Sequence, residues 1–248
     1  MSVGVNLPLN IILPDPGKMG DVPVAKRKVL YLLHGLSDDA SAWQRYSSIE
    51  TIAAAYGLVV VMPSVGRSFY TDQPNGQKYF TYLTEELPHY LVDVFGLALR
   101  REDTFIAGTS MGGYGAFKAA LLHPELYFAA ASFSGVLALA VLQLLPDTDS
   151  RKAEFALLFG GLDNLAGGEH DPAVWLECAA KKLSNLPHLF ISVGRQEDIY
   201  PVSGMFHATC QSLGVQSEYH EEDGTHDWFF WDGQLRLFLT SVLGPIPK

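Results

Sequence analysis

The chain has 248 residues, 48% of them hydrophobic, enough to bury one large core within a single domain. Its formal net charge of −10 at pH 7 is spread along the sequence with no basic stripe, which excludes nucleic acid and anionic membrane surfaces as partners. The opening residues Met1-Ser2-Val3-Gly4-Val5-Asn6 lack a basic-then-apolar leader, and the longest apolar stretch, near Val136 to Leu142, is too short to span a bilayer. A soluble, cytoplasmic protein is expected. Cys178 and Cys210 lie far apart without metal-ligand or redox spacing, so both are expected as buried thiols.

In chain order, strands are expected over 9–13 and 29–33, a helix over 47–56, and a strand over 58–62. The helical pattern of 83–95 is interrupted by Pro88. A strand over 104–107, a helix over 112–122 and a strand over 128–133 follow. Residues 137–169 mix apolar runs with a Pro-Asp-Thr-Asp-Ser turn and two Gly-Gly pairs, and read as a small insertion over the site. Then come a helix over 173–184, a strand over 189–193, a helix over 201–213 ending at Gly214, a strand over 216–221 and a final helix over 234–243. Most of the strands are continuous Val, Ile, Leu and Phe runs rather than alternating ones, the pattern of strands buried on both faces. Strands alternating with helices imply an α/β class with a mostly parallel central sheet and helices on both faces. Sites in such sheets lie at the carboxyl ends of the strands.

The strongest local signal is Gly108-Thr109-Ser110-Met111-Gly112, a G-x-S-x-G between a strand and a helix. That context is the nucleophile elbow of the α/β-hydrolase fold, in which glycines permit a tight turn and the serine hydroxyl stands at a helix N-terminus. The competing explanation, a glycine-rich turn with a capping serine, does not require the strand that precedes it. One oxyanion donor is then the Met111 N–H. The second is assigned to the Leu36 N–H in His34-Gly35-Leu36-Ser37, where Gly35 lets the backbone approach the substrate oxygen. His34 precedes the serine and reads as a structural histidine pinning this loop.

A serine needs a base, and in this architecture the order is Ser, acid, His. His123, His170, His188, His207 and His220 fall near helices, on strands or in the insertion. His226 falls in the loop Asp223-Gly224-Thr225-His226-Asp227-Trp228 and is the expected base. The strand before it ends in Arg195-Gln196-Glu197-Asp198, and sequence position alone leaves Glu197 and Asp198 both open as the orienting acid.

With these pieces placed, the chain resembles the esterase D-like branch of the α/β-hydrolases, most closely the bacterial tributyrin esterases. The matching residues are Leu32-Leu33-His34-Gly35-Leu36 with Trp43, Thr84-Glu85-Glu86-Leu87-Pro88, Phe105 to Gly115, Ser132-Phe133-Ser134-Gly135, and Gly224-Thr225-His226-Asp227-Trp228 with Trp231. The resemblance implies the triad Ser110, Asp198 and His226, acting on short-chain acyl esters without metal or cofactor. The same branch holds S-formylglutathione hydrolases and acetyl and feruloyl esterases. The formylglutathione enzymes usually carry a cysteine soon after the His-Gly-Leu loop, where this chain has Ser37, Asp38 and Asp39.

The expected substrate is a small ester held by Gly35, Trp43 and Trp228, with Tyr70, Phe80 and Trp231 as further candidates for the pocket wall. A homo-oligomer is compatible with the sequence. Thioester hydrolysis and acyl transfer would use the same machinery. A non-catalytic binding module of this fold would lack a triad member, and all three are in place here.

Overall fold

The computed structural model describes residues 1–15, 17, 22–182 and 185–246. Its sheet has seven strands in the order β1-β3-β2-β4-β5-β6-β7. They are β1 (Leu9–Ile12), β2 (Val29–Leu33), β3 (Val59–Pro63), β4 (Thr104–Thr109), β5 (Ala129–Phe133), β6 (His188–Gly194) and β7 (Ser217–Glu222). Only β1, antiparallel to β3, departs from parallel pairing. The chain runs from β2 outward to β3, then crosses back to β4 on the other side of β2. The crevice beyond β2 and β4 is therefore the topological switch point, where α/β sheets bind ligands.

Every residue of β2, β3, β4 and β5 is buried. Successive side chains of these strands enter two different cores. Val29, Tyr31, Leu33, Val59, Val61 and Ile106 face one, and Leu30, Leu32, Val60, Met62, Phe105 and Ala107 face the other. This two-sided burial is why the strands read as unbroken apolar runs. The first core is closed by α3 (Leu87–Phe95), α4 (Met111–Leu122), α6 (Pro172–Ala180) and α7 (Tyr200–Ser212), and by α5 (Ser150–Phe159). The second is closed by α1 (Ala42–Tyr46), α2 (Ile49–Tyr56) and α8 (Trp228–Leu243). Each fully buried Leu, Ile or Phe stabilises this arrangement by about 1.5–3 kcal/mol. The β7 edge is polar, Ser-Glu-Tyr-His-Glu-Glu, which discourages pairing with a further strand.

Several boundaries differ from expectation for identifiable reasons. Pro88 does not break its helix: it stands at the start of α3, directly after a turn of wider hydrogen-bond pitch. The chain enters α3 through Tyr79–Thr81 and a π turn over Tyr82–Glu86, which absorbs the extra residue. The last helix begins at Trp228 rather than at 234, since Asp227 caps it by accepting from the Phe229 and Phe230 N–H groups at 2.9 and 3.1 Å. The helix expected over 173–184 is Pro172–Ala180, and Leu183 and Ser184 lie outside the described residues. Both cysteines are free, but Cys178 is exposed rather than buried. Cys210 is buried, which pushes its thiol up to about 11. Among the described residues no helix is long and apolar enough to cross a membrane.

Candidate active site

Ser110 joins β4 to α4 with φ 53 and ψ −116, a conformation that non-glycine residues rarely adopt. The strain follows from how closely the backbones pack. A Cβ on Gly108 would lie 2.3 Å from the Gly112 carbonyl oxygen, and one on Gly112 would lie 2.4 Å from that of Leu33. Both glycines of the motif are thus demanded by backbone contact, one within the elbow and one between α4 and the end of β2. The Ser110 N–H is held by the Phe133 carbonyl at 2.9 Å, tying the elbow to the end of β5.

Gly35 lies beside Ser110, since a Cβ built there would sit 3.9 Å from Ser110 Cβ. The adjoining loop is aimed by His34, which is 1% exposed. Its Nε2 accepts from the Val65 N–H at 3.1 Å, so in the neutral ring Nδ1 carries the hydrogen and donates to the Gly35 carbonyl at 2.7 Å. Burial keeps this ring neutral by lowering its pKa. The Asp38 N–H donates to the same carbonyl at 3.2 Å. A trans peptide points its C=O and N–H in opposite directions, so fixing Gly35 O also fixes the direction of the Leu36 N–H. Neither the Leu36 nor the Met111 N–H donates to a protein acceptor among the described residues. Both N–H groups are thus without such a partner, and Met111 stands at the positive end of the α4 dipole.

The structure separates the two carboxylates that follow β6, and it corrects the expectation. Asp198 is exposed and makes no hydrogen bond to His226. Glu197 takes that place, with Oε2 accepting from His226 Nδ1 at 2.7 Å and a side chain that is 0% exposed. Its other oxygen accepts from Ser134 Oγ at 2.6 Å and from the Gly194 N–H at 2.8 Å. Three donors therefore satisfy a buried carboxylate that would otherwise be costly to desolvate. Because Nδ1 donates to Glu197, the neutral His226 ring keeps Nε2 bare of hydrogen and able to accept a proton.

A second layer of contacts surrounds Glu197 and His226. Trp231 Nε1 donates to Ser134 Oγ at 3.0 Å, and its indole meets the His226 ring edge-on at 4.9 Å. Ser134 directly follows Phe133, whose carbonyl holds the Ser110 N–H, so one strand end supports both Ser110 and Glu197. The His226 loop is fastened to the acid loop by the Gln196 N–H to the Gly224 carbonyl at 3.2 Å and by the Gly224 N–H to Gln196 Oε1 at 2.6 Å. Sequence reasoning gave Ser134 no role, because nothing local marks a serine that must contact a residue in the turn after the next strand.

Trp43 is a second correction. It is 0% exposed and belongs to the core on the α2 and α8 side of the sheet. Its indole N–H donates to the Leu33 carbonyl at 3.1 Å, and its ring packs on Phe133 and Trp228. No substrate can touch it. Trp43→Ala is expected to cost about 3–5 kcal/mol in unfolding free energy, read from urea denaturation, because it empties a closed site. Trp228 is half-buried between Trp43, Tyr46 and Trp231. Tyr70 is fully buried and Phe80 partly so. The other histidines serve elsewhere: His188 and His220 both meet Glu218, at 3.0 and 2.6 Å, and His207 meets Ser217 at 2.8 Å.

Residues 2–239 match the family described as putative esterase. An acetyl esterase of Caldicellulosiruptor saccharolyticus is 28% identical over 225 residues, covering 88% of this chain and 84% of its own length. Two structures from Staphylococcus aureus are each 33% identical, covering 98% of this chain and 94% of theirs. They are the fluorophosphonate-binding serine hydrolase F with bound substrate, at a TM-score of 0.88, and an S-formylglutathione hydrolase, at 0.86. The fold is that of the α/β-hydrolases, and the chain belongs to this esterase family, as a carboxylic ester hydrolase.

Proposed function

We propose that this enzyme hydrolyses short-chain acyl esters through an acyl-enzyme on Ser110, with His226 as base and Glu197 as the orienting acid. Ser110 Oγ attacks the ester carbonyl carbon while His226 Nε2 takes the hydroxyl proton. The oxyanion that forms is held by the Leu36 and Met111 N–H groups. Collapse expels the alcohol, protonated by His226, and leaves the acyl group on Ser110. Water then attacks the acyl carbon, gives its proton to Nε2, and collapse releases the acid and returns the proton to Ser110. The observations that carry this reading are the Glu197–His226 contact at 2.7 Å and a serine held at φ 53 on a glycine-flanked turn, both tied to the end of β5 through Ser134 and the Phe133 carbonyl. Each oxyanion donor would contribute roughly 3–4 kcal/mol in the transition state.

The short-acyl preference is supported by the wall beside Met111. Phe69 donates its N–H to Met111 Sδ at 3.3 Å, and its ring packs against Tyr114, Phe155 and Phe159 at 5.4–5.6 Å between centres. Phe155 and Phe159 come from the segment 137–169, and because all four rings are buried we read this packing as the rigid backing of the acyl site rather than its lining. An open groove would reward each added methylene by up to ~0.8 kcal/mol. A wall of packed rings ends that gain abruptly. On a p-nitrophenyl ester series, kcat/KM is expected to peak between acetyl and butyryl and to fall sharply by octanoyl. A steady rise through decanoyl would overturn the short-acyl reading while leaving the triad untouched. The likeness to an S-formylglutathione hydrolase supports a second reading, thioester hydrolysis by the same residues. Running S-formylglutathione beside butyryl ester in that series decides between them.

A further inference from the structure

Helix α4 is buried over Met111–Leu121 and carries one charged side chain there, Lys118, which is 5% exposed. Its Nζ donates to Thr71 Oγ1 at 2.9 Å and to the Tyr70 carbonyl at 3.4 Å. The same ammonium lies 4.7 Å from the centre of the Phe80 ring and 5.8 Å from that of Trp175. Two oxygen acceptors and two ring faces are a sparse environment for a buried cation, and leucine or methionine would pack at this position without that penalty.

The acceptors belong to a turn in which Phe69 and Tyr70 both have φ 49, values that bulky side chains rarely adopt. From this turn Tyr70 Oη donates to the His34 carbonyl at 3.1 Å, and the Phe69 N–H donates to Met111 Sδ at 3.3 Å. Burial keeps the Tyr70 phenol protonated, and so a donor, by raising its pKa. The turn therefore touches the peptide just before Gly35-Leu36 and the side chain of Met111.

We propose that Lys118 is a positioning residue for ester hydrolysis: its ammonium clamps the Phe69–Tyr70 turn, and the turn holds the His34 carbonyl ahead of one oxyanion donor and the side chain of Met111, the other. The proposal rests on the assignment of Leu36 and Met111 as those donors. Burial lowers the Lys118 pKa to about 7, against the opposing fields of Asp72 and Glu169. The titratable groups around it are Tyr70 and Asp72 on the turn, Tyr114 on its own helix, and Glu169 and His170 ahead of α6. Tyr70 and Tyr114 are held protonated by burial, and His170 is lowered by burial and then by Lys118. Above about 7 the clamp loses its charge, so kcat of the wild type declines on the alkaline side of neutrality.

The test measures kcat and KM on p-nitrophenyl butyrate over about pH 6–9 for Lys118→Met, Tyr70→Phe and Thr71→Val. Each is expected to lower kcat about 10–100-fold with KM changed by less than about twofold. Lys118→Met loses the alkaline decline, and the double variant Lys118→Met/Tyr70→Phe is no slower than the slower single one. Wild-type kcat in folded Lys118→Met, a loss confined to KM, or an unchanged alkaline decline would each overturn the proposal. If Lys118→Met does not fold, Tyr70→Phe and Thr71→Val decide: wild-type kcat in both overturns it, and a kcat loss in both supports it. Fluorophosphonate labelling of the wild type separates this outcome from failure of the site assignment. Label absent from Ser110 defeats the assignment itself, whereas label present with unimpaired variants defeats only the clamp.

Discussion

Glu197→Gln is expected to lower kcat by on the order of 10⁴, and Asp198→Asn to leave it within about threefold of wild type. The size of the first effect follows from hydrogen-bond direction. Glu197 Oε1 accepts from both Ser134 Oγ and the Gly194 N–H. A glutamine must keep its carbonyl oxygen on that side, which turns its NH₂ toward His226 Nδ1. Nδ1 can then only accept, so the ring proton moves to Nε2, the atom that has to receive the proton of Ser110. The shape of the site is kept and its tautomer is inverted. Asp198 is exposed and touches none of these atoms, so its amide variant changes only a surface charge. Steady-state kinetics on p-nitrophenyl butyrate distinguish the two, and a reversed order would return the acid role to Asp198.

Ser110→Ala is expected to remove on the order of 10⁶ in kcat, the larger of the two losses, because no other group in the site supplies a nucleophile. The substitution deletes one hydroxyl from a half-buried position and leaves the elbow backbone as it was. The urea midpoint should accordingly stay close to wild type, which assigns the loss to chemistry rather than to unfolding. Residual turnover above the uncatalysed rate would come from the Leu36 and Met111 N–H groups and from substrate binding. Ser110→Ala/Glu197→Gln should be no slower than Ser110→Ala alone, since the acid acts only through the histidine that serves this serine.

The sheet was legible in the sequence because strands buried on both faces leave continuous apolar runs, and β2 through β6 lie within two residues of where those runs predict them. The strained turn at Ser110 was legible because two glycines are forced by backbone contact on either side of it. Chain order placed His226 in the loop after β7, where it meets Glu197. The acid was not legible, for a specific reason. Glu197 and Asp198 are neighbours in one turn, and which of them faces His226 is set by Ser134 and Gly194, through contacts no local pattern encodes. The resemblance pointed to the aspartate, and the glutamate occupies the position. Trp43 was misread because an aromatic residue shortly after a catalytic loop looks like a pocket wall. Only the packing of α1 under the sheet shows that it faces the core. Lys118 did leave a signal, a lone charge in the apolar run Met111–Leu122.

The central claim is that Ser110, activated through His226 and Glu197, carries the acyl group. It is tested most directly by titrating the enzyme with a fluorophosphonate while following residual esterase activity, then mapping the adduct by peptide mass spectrometry. The account predicts one phosphonyl group per chain, on Ser110, with activity lost in proportion to labelling, and labelling slowed in Glu197→Gln but not in Asp198→Asn. An adduct on another serine, or full activity surviving complete labelling of Ser110, would contradict it.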